Sequence, residues 1–425
     1  MILFINLSPI RIKPLYALAV FIFLSFNAFS QAGKVDSSGM LTLRIDPQSA
    51  RGANVSAVFD EVRFIPLETT KESLFGSIYD LKIVKDQFVL FDYDTRAVLI
   101  FAKDGKFKGK IDASKIPKDD ADKSKTELYG YKIVEENKDS VIAIYSSKYF
   151  FYFDFNGKQI KKVLHKDAVF NQEFKLADQE TTVIPRFLEK KGKDSIHYEL
   201  AIIRKDKDTV GYFPFSMKRY QTDEFWDNAK FYDNGNKNGL FFINVYGYDL
   251  YKVSPSKLSL AYHIIFPANN SLPRDFISNP IYIKKRREYF QANPKVFYSL
   301  NNTYQVGDHL YLQMRNFGRE KELKKAIIYN LKTTEIISLQ DLQPDSLSSF
   351  LPVTDAGAFY DFSNKGFHLY KDDYFYTSYS SLAMFSFKEQ LGDKNIKFSP
   401  QMQEYFKTQD RKSNPVIIQL KPKKN

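Results

Sequence analysis

Five histidines, His165, His197, His263, His309 and His368, are the residues of this chain best suited to hold a metal ion or pass a proton, and they stand far apart. Neither an HxH nor an HExxH spacing occurs, so no single element offers two imidazoles to one metal, and each histidine reads as an ordinary turn or strand residue. Only convergence from separate parts of the folded chain could gather them. Asp92-Tyr93-Asp94 has the acidic spacing that opens a calcium loop, but the glycine and closing glutamate of an EF-hand do not follow. It reads as a hairpin turn in which aspartate bonds its own backbone. The Gly-x-Ser-x-Gly elbow and the P-loop are absent. Paired carboxylates for glycoside hydrolysis sit about 5–10 Å apart in space, and 50 acidic residues guarantee chance pairs. No catalytic, cofactor-binding or metal-binding residue is therefore assigned.

Two surface features invite a binding reading. Lys284-Lys285-Arg286-Arg287 is the one dense basic cluster, and Ile281 to Phe290 around it can form a short amphipathic helix. A solvated face is the plain interpretation and an anionic-ligand patch the sharper one. Tyr246, Tyr248, Tyr251 and Trp226 lie close together along the chain, and such rings serve as stacking platforms for carbohydrate or peptide ligands when exposed, or as core when buried. Charge otherwise scatters: 62 Lys and Arg against 50 Asp and Glu give a net +12 without a basic arm or stripe, which argues against nucleic acid as partner.

The elements that must position these residues are short β-strands. Phe88 to Ile111 contains two β-rich runs, Phe88–Phe91 and Val98–Phe101, separated by a polar turn and followed by Asp104-Gly105, a hairpin signal of type I′ chemistry. Val141 to Leu164 repeats the same order with Asn156-Gly157 in the matching place. Further units are read at 196–215, 240–266, 309–339 and 374–387, the last as two strands turning at Ser380-Ser381. A three-stranded meander with two apolar faces cannot stand alone, and further copies of itself can cover both. The alternating Val62-Arg63-Phe64-Ile65-Pro66-Leu67 precedes the first unit, and Pro415-Val416-Ile417-Ile418-Gln419-Leu420 follows the last. Pro66 suits an edge strand. Together these two segments can complete one unit and close a ring.

At the N-terminus, Arg11 and Lys13 precede an apolar run from Leu15 to Phe26, and Ala28-Phe29-Ser30 has the small residues of a cleavage site. That run of about a dozen residues falls short of the roughly 20 needed to span a bilayer. The pattern predicts a signal peptide over 1–30, a segment over 31–60 that holds one alternating strand, Leu41-Thr42-Leu43-Arg44-Ile45, followed by a loosely ordered linker, and a single repeat domain over 61–425. The chain has no cysteine, which removes disulfides, thiolate chemistry and a lipidated cysteine. The expected location is extracytoplasmic, periplasmic or secreted, with no lipid attachment and no stable membrane anchor after cleavage.

FIPLETT at Phe64–Thr70, Gly76-Ser77-Ile78, FVLFDYDTRAVLIFAKDGKF at Phe88–Phe107 and NPVIIQLK at Asn414–Lys421 resemble a family of exported bacterial six-bladed β-propellers, related in shape to NHL and TolB-type propellers and mostly without assigned function. Many members follow the first blade with a Gly-x-Gly-Pro-Gly-Glu type loop; here Asp112-Ala113-Ser114-Lys115-Ile116-Pro117 stands in its place. The expectation is an all-β, six-bladed propeller closed by its N- and C-terminal strands. Its expected function is to bind or scaffold an extracytoplasmic protein or a carbohydrate or peptide ligand, without cofactor. The alternative is a propeller hydrolase or lyase acting on polysaccharide or peptide at the central channel.

Overall fold

In a computed structural model, the described residues are 32–112, 116, 128–136, 139–146, 148–164, 173–191, 194–205, 208–216, 223, 228–233, 239–318, 323–354, 366–392 and 396–424; the leader at 1–30 lies outside them. Three strands, β1 (Leu41–Arg44), β2 (Arg51–Asn54) and β3 (Phe59–Pro66), precede the first blade. Blade 1 is β4 (Asp80–Val84), β5 (Gln87–Asp92), β6 (Ala97–Ala102) and β7 (Phe107–Asp112). Blade 2 is β8 (Leu128–Glu136), β9 (Asp139–Ser146), β10 (Tyr149–Phe153) and β11 (Gln159–Leu164). Blade 3 is β12 (Phe174–Lys175), β13 (Thr181–Lys191), β14 (Asp194–Arg204) and β15 (Thr209–Phe215), and blade 4 is β16 (Lys230–Asp233), β17 (Leu240–Ile243), β18 (Asp249–Val253) and β19 (Leu258–Ile265). Blade 5 is β20 (Ser299–Val306), β21 (His309–Arg315), β22 (Ala326–Asn330) and β23 (Ile336–Gln343). Blade 6 is β24 (Leu369–Lys371), β25 (Tyr374–Tyr379), β26 (Val416–Pro422) and, from the other end of the chain, β3. These sheets form a six-bladed β-propeller.

The reason the blades form a ring is legible in blade 1. Almost every side chain of β5 and β6 is buried. Val89, Phe91, Val98 and Ile100 pack against Ile142, Ile144, Phe151 and Phe153 of blade 2. From the opposite face, Phe88, Leu90, Leu99 and Phe101 pack against Ile65, Tyr376 and Ile417 of blade 6. Each such side chain contributes about 1.5–3 kcal/mol when buried, so a blade is stabilised from both sides by its neighbours. The first strands of successive blades come together, β16 beside β20 and β24 beside β4, and line the inner wall.

Closure occurs between the chain ends. β26 pairs antiparallel with β3, with Val416 opposite Pro66, Ile417 opposite Ile65, Ile418 opposite Phe64 and Leu420 opposite Val62. β3 is the outermost strand of its sheet, so Pro66 sits on an edge as its missing N–H requires.

The strand expected at Leu41–Ile45 is present as β1, and the link after it, expected to be loose, joins it in a belt that runs from residue 33 to residue 54. Gly33 N–H donates to the Gly211 carbonyl on blade 3 (2.8 Å), and Asp36 bridges to Ser259 on blade 4. β1 then adds parallel to β19, and β2 parallel to β23. The composition of the link after Ile45 suggested loose order, but Ala50, Ala53 and Val55 in it are buried. Blades 4 and 5 thereby each gain a fifth, outer strand, which pairs an edge that would otherwise be open. Among the described residues, no strand covers the outer strands of blades 1 and 2, which carry Lys108 and Lys110 on β7 and Lys161 and Lys162 on β11. Charged edges of this kind resist edge-to-edge pairing.

Two local expectations change. At Asp104-Gly105 and Asn156-Gly157 only the glycines have positive φ, +88° and +80°. Gly105 N–H bonds the Ala102 carbonyl at 2.9 Å, Gly157 N–H bonds the Asp154 carbonyl at 3.1 Å, and the register shifts beside each turn. These are therefore type I turns followed by a left-handed glycine bulge, not two-residue type I′ turns. Gly105 also lies against blade 6: a Cβ there would meet the Pro66 carbonyl oxygen at 2.1 Å. Gly105→Ala is expected to destabilise the protein by more than the roughly 1 kcal/mol that a left-handed alanine costs by itself. The urea midpoint should fall, and an unchanged midpoint would show that the hairpin moves freely against Pro66.

The second change concerns the sixth unit. Tyr374–Tyr379 is the strand β25 as expected, but Ser380 caps a helix instead of turning a hairpin. The four helices of the described residues are α1 (Val55–Val58), α2 (Arg286–Ala292), α3 (Ser381–Gln390) and α4 (Pro400–Thr408). In α3, buried Ala383, Met384 and Phe387 follow the helical period, and the Ser380 hydroxyl accepts from Ala383 N–H at 3.3 Å. The tyrosine and serine run masked that switch from period two to period 3.6.

Candidate functional site at the closing seam

The residues singled out from sequence prove largely structural. Arg286, the third member of the basic cluster, is fully buried, and its Nη2 lies 2.7 Å from Asp223 Oδ2, itself buried. Its Nη1 donates to the Phe276 carbonyl, and its guanidinium stands 4.8 Å from the Phe276 ring centre and 5.6 Å from that of Tyr246. The cluster is thus no continuous patch: one of its four cations anchors the insertion after blade 4. Tyr246 and Tyr251 are core residues, not an exposed platform. Tyr246 packs on Phe276 and Phe290, and Tyr251 on Phe213 and Phe242. Half-buried Tyr248 donates to the Phe297 carbonyl and accepts from Leu272 N–H at 2.9 Å. Desolvation raises the Tyr248 and Tyr251 hydroxyls well above the ordinary phenol range. Trp226 lies outside the described residues.

The histidines stay apart. His263 Nδ1 sits 2.6 Å from Asp249 Oδ1 across β18 and β19, His368 Nε2 is 2.8 Å from Ser378 Oγ, and His309 Nδ1 is 3.3 Å from the Lys423 carbonyl. His197 stacks near Phe215, and His165 lies outside the described residues. Among the described residues no group of three or more His, Asp and Glu side chains could hold a metal ion. Asp92 forms the expected turn: its Oδ2 accepts from Thr95 N–H at 3.0 Å and Thr95 Oγ1 at 2.6 Å.

A cavity of about 770 Å³ lies where the ring closes, along β3. This is within the usual range of small-ligand sites, about 300–1,000 Å³. One wall faces blade 1 and is polar: Tyr376, Gln419 and Arg63 succeed one another across three strands, and Gln419 Nε2 donates to the Tyr376 hydroxyl at 2.9 Å. Beside them the Tyr374 hydroxyl donates to Glu61 Oε2 at 3.2 Å, while Lys421 and Arg63 each stand 3.0 Å from the same carboxylate. The Lys421 hydrogen bond, above all, holds that carboxyl below the usual range. The hydrogen bond to Asp86 at 2.9 Å raises the Lys103 ammonium, on the blade 1 hairpin, above the usual lysine range.

The other wall is apolar. Val62 and Phe64 face Leu347, Leu351, Phe398 and Met402. The loop carrying Leu347 is tied down by Asp345, whose carboxylate accepts from Ser56 N–H at 2.8 Å and Leu347 N–H at 3.0 Å. In it, Ser349 and Phe350 both adopt left-handed backbone, φ +49° and +57°. For non-glycine residues this costs roughly 1–2 kcal/mol each, and such strain tends to collect at functional walls. The roof is the start of α4: Ser399 caps the helix, Pro400 opens it, and Gln401 Nε2 donates to the Asp104 carbonyl at 2.8 Å, latching blade 6 to blade 1.

None of this was marked in the sequence. The cavity's walls come from residues near 62, 103, 349, 375, 400 and 419, and the only signal was the prediction that both chain ends meet. Fold and cavity together define a six-bladed β-propeller with a ligand-sized pocket at its closure.

The chain belongs to the family described as Domain of unknown function (DUF4934), whose model matches residues 42–421. No curated protein matches the chain. Among solved structures, BF0058 from Bacteroides fragilis, a protein classed as exported, is similar over 90% of this chain and 99% of its own, at 14% identity and a TM-score of 0.57, which is a likeness of fold. A member of the DUF4221 family from Bacteroides vulgatus matches 86% of this chain and 98% of its own, at 12% identity and TM-score 0.40. Virginiamycin B lyase from Staphylococcus aureus matches 65% of this chain and 87% of its own, at 12% identity and TM-score 0.32. The last two scores carry no argument about function.

Proposed function

We infer that this protein is an extracytoplasmic, non-enzymatic binding propeller and that its ligand, a peptide or carbohydrate segment either free or displayed on a partner protein, is held in the seam cavity. The observation that supports this reading most is the pairing of a fixed polar wall, Tyr374, Tyr376, Gln419 and Arg63, with an apolar wall in one space of about 770 Å³. A few placed polar groups on an apolar lining are what orient a ligand. An extracytoplasmic site of action is supported by the leader pattern over residues 1–30, and no helix of the described residues is long and apolar enough to cross a membrane.

The alternative, hydrolysis or elimination at the central channel, calls for carboxylates or imidazoles gathered on the inner strands. Carboxylates on those strands are matched by lysines: Asp80 pairs with Lys82 at 2.9 Å, Glu135 with Lys175 at 3.1 Å and Glu136 with Lys161, while Lys371 Nζ donates to the Ile83 carbonyl at 2.8 Å and Lys230 Nζ to Ser299 Oγ at 2.7 Å, tying neighbouring blades together. The binding reading is the better supported.

A thermal-shift screen of the mature chain against peptide and oligosaccharide collections tests it. Saturation at about 100 times Kd should stabilise the fold by about 2.7 kcal/mol. Val62→Trp, which places an indole in the cavity, should abolish the shift while the unliganded melting point changes little. A hit that stabilises this variant equally would place the site elsewhere.

A further inference from the structure

Val62, Arg63, Phe64 and Ile65 all line the seam cavity. Side chains of a strand alternate between its two faces, so four consecutive residues can share one cavity only where it wraps the strand's edge and reaches the backbone. β3 is the outermost strand of blade 6, and alternate N–H and C=O groups along it point away from β26. Among the described residues, no hydrogen bond outside the β26 ladder engages the backbone of Val62–Ile65. The molecule treats its other outer edges differently. Blades 4 and 5 have theirs paired by β1 and β2, that of blade 3 is met at Gly211 by the Gly33 N–H, and those of blades 1 and 2 carry lysines. Along β3 an unpaired ladder edge adjoins a roofed, mainly apolar space.

We propose that the ligand of the seam cavity is an extended peptide that adds to β3 as a fifth strand of blade 6, as β1 and β2 already do on blades 4 and 5. This deepens the binding function inferred above and depends on it. Backbone hydrogen bonds to β3 supply the affinity common to any such peptide, and the two walls supply selectivity. Side chains directed to one side meet Phe64, Leu347, Leu351 and Met402; those directed to the other meet Tyr374, Tyr376, Gln419 and the cations Arg63 and Lys103. The favoured sequence therefore alternates apolar with acidic residues. Val62–Ile65 spans about 13 Å of strand, enough to pair a segment of roughly four residues. A sugar or an acyl chain would use the walls but leave the backbone edge unpaired, which makes peptide the better fit.

The test uses the mature chain and a library of N-acetylated hexapeptides that alternate apolar and acidic positions, read by fluorescence polarisation. The tightest peptide is then remade with single N-methyl groups along its backbone. Methylation of N–H groups on the pairing edge should weaken binding about tenfold or more, one hydrogen bond together with a blocked acceptor, and methylation of the intervening N–H groups should have little effect. Arg63→Ala, at an exposed side chain, should lower affinity for the acidic peptides several-fold and leave an alternating apolar–serine peptide unaffected. Uniform tolerance of methylation would overturn strand addition. If no hexapeptide binds while an oligosaccharide gives a thermal shift that Val62→Trp removes, the peptide assignment fails and the seam site stands. If every stabilising probe also stabilises Val62→Trp, both fail.

Discussion

Asp223→Ala is expected to destabilise the protein by about 3–5 kcal/mol, because it removes the buried carboxylate that the buried Arg286 guanidinium faces within an aromatic cage. Both members of the pair are buried, and Asp223 also accepts from Lys284 N–H at 3.0 Å, so the carboxylate holds the turn that leads into α2 as well as the charge. The comparison that isolates the charge is the double variant Asp223→Leu with Arg286→Met. Replacing a whole buried pair by apolar side chains of similar volume is often neutral or stabilising, so the double variant should be more stable than Asp223→Ala. Urea unfolding would show this as a lower midpoint for the single variant at unchanged slope. A single variant within about 1 kcal/mol of the parent, in the range of surface ion pairs, would mean that water reaches Arg286.

The second large effect lies in the N-terminal segment and separates two functions of that segment. Removal of residues up to Asn54 should leave the ring closed, since β3 and its register with β26 remain. It loses Leu43 and Ile45, at about 1.5–3 kcal/mol for each buried aliphatic side chain, and opens the outer edges of β19 and β23. The shortened protein should therefore fold with lower stability and self-associate with rising concentration, as uncovered edges do. Removal up to Pro66 also takes Phe59, Phe64 and Ile65 out of two core clusters and leaves β26 as a bare edge. This chain should fail to reach a cooperative native state. Sedimentation velocity and urea melts on both truncations check the contrast. A cooperatively folded product of the longer truncation would show that the ring holds without its closing strand.

Much of the architecture was readable because its cause is local. Phe88–Phe91 and Val98–Phe101 are apolar on both faces, and only a fold that covers both sides of every sheet can bury them. The closing strand was readable from Val62–Leu67, an alternating run, and Val416–Leu420, an apolar strand-forming run at the opposite end, neither with another partner in sequence. Of the belt, the strand at Leu41–Ile45 was readable from its alternation, but its partner and the order of the link after it were not: what orders them is the hydrogen-bonding edge of blades 200 to 300 positions later, which composition does not encode. Core packing, one of the two readings open for the tyrosines at 246 and 251, is what the fold gives them, and the choice was not in their spacing: for Tyr246 it depends on the insertion carrying Phe276 and Phe290. The seam cavity was invisible because its six walls are distant in sequence and none contains a motif.

The most direct test of the seam as binding site is hydrogen–deuterium exchange of the mature chain with and without the tightest ligand from the screen. Protection is predicted at Val62–Ile65, Leu347–Leu351, Tyr374–Tyr376 and Phe398–Met402, the segments that enclose the cavity. Protection confined to the inner strands, Asp80–Val84 and Leu128–Glu136 among them, would place the ligand in the central channel and contradict it.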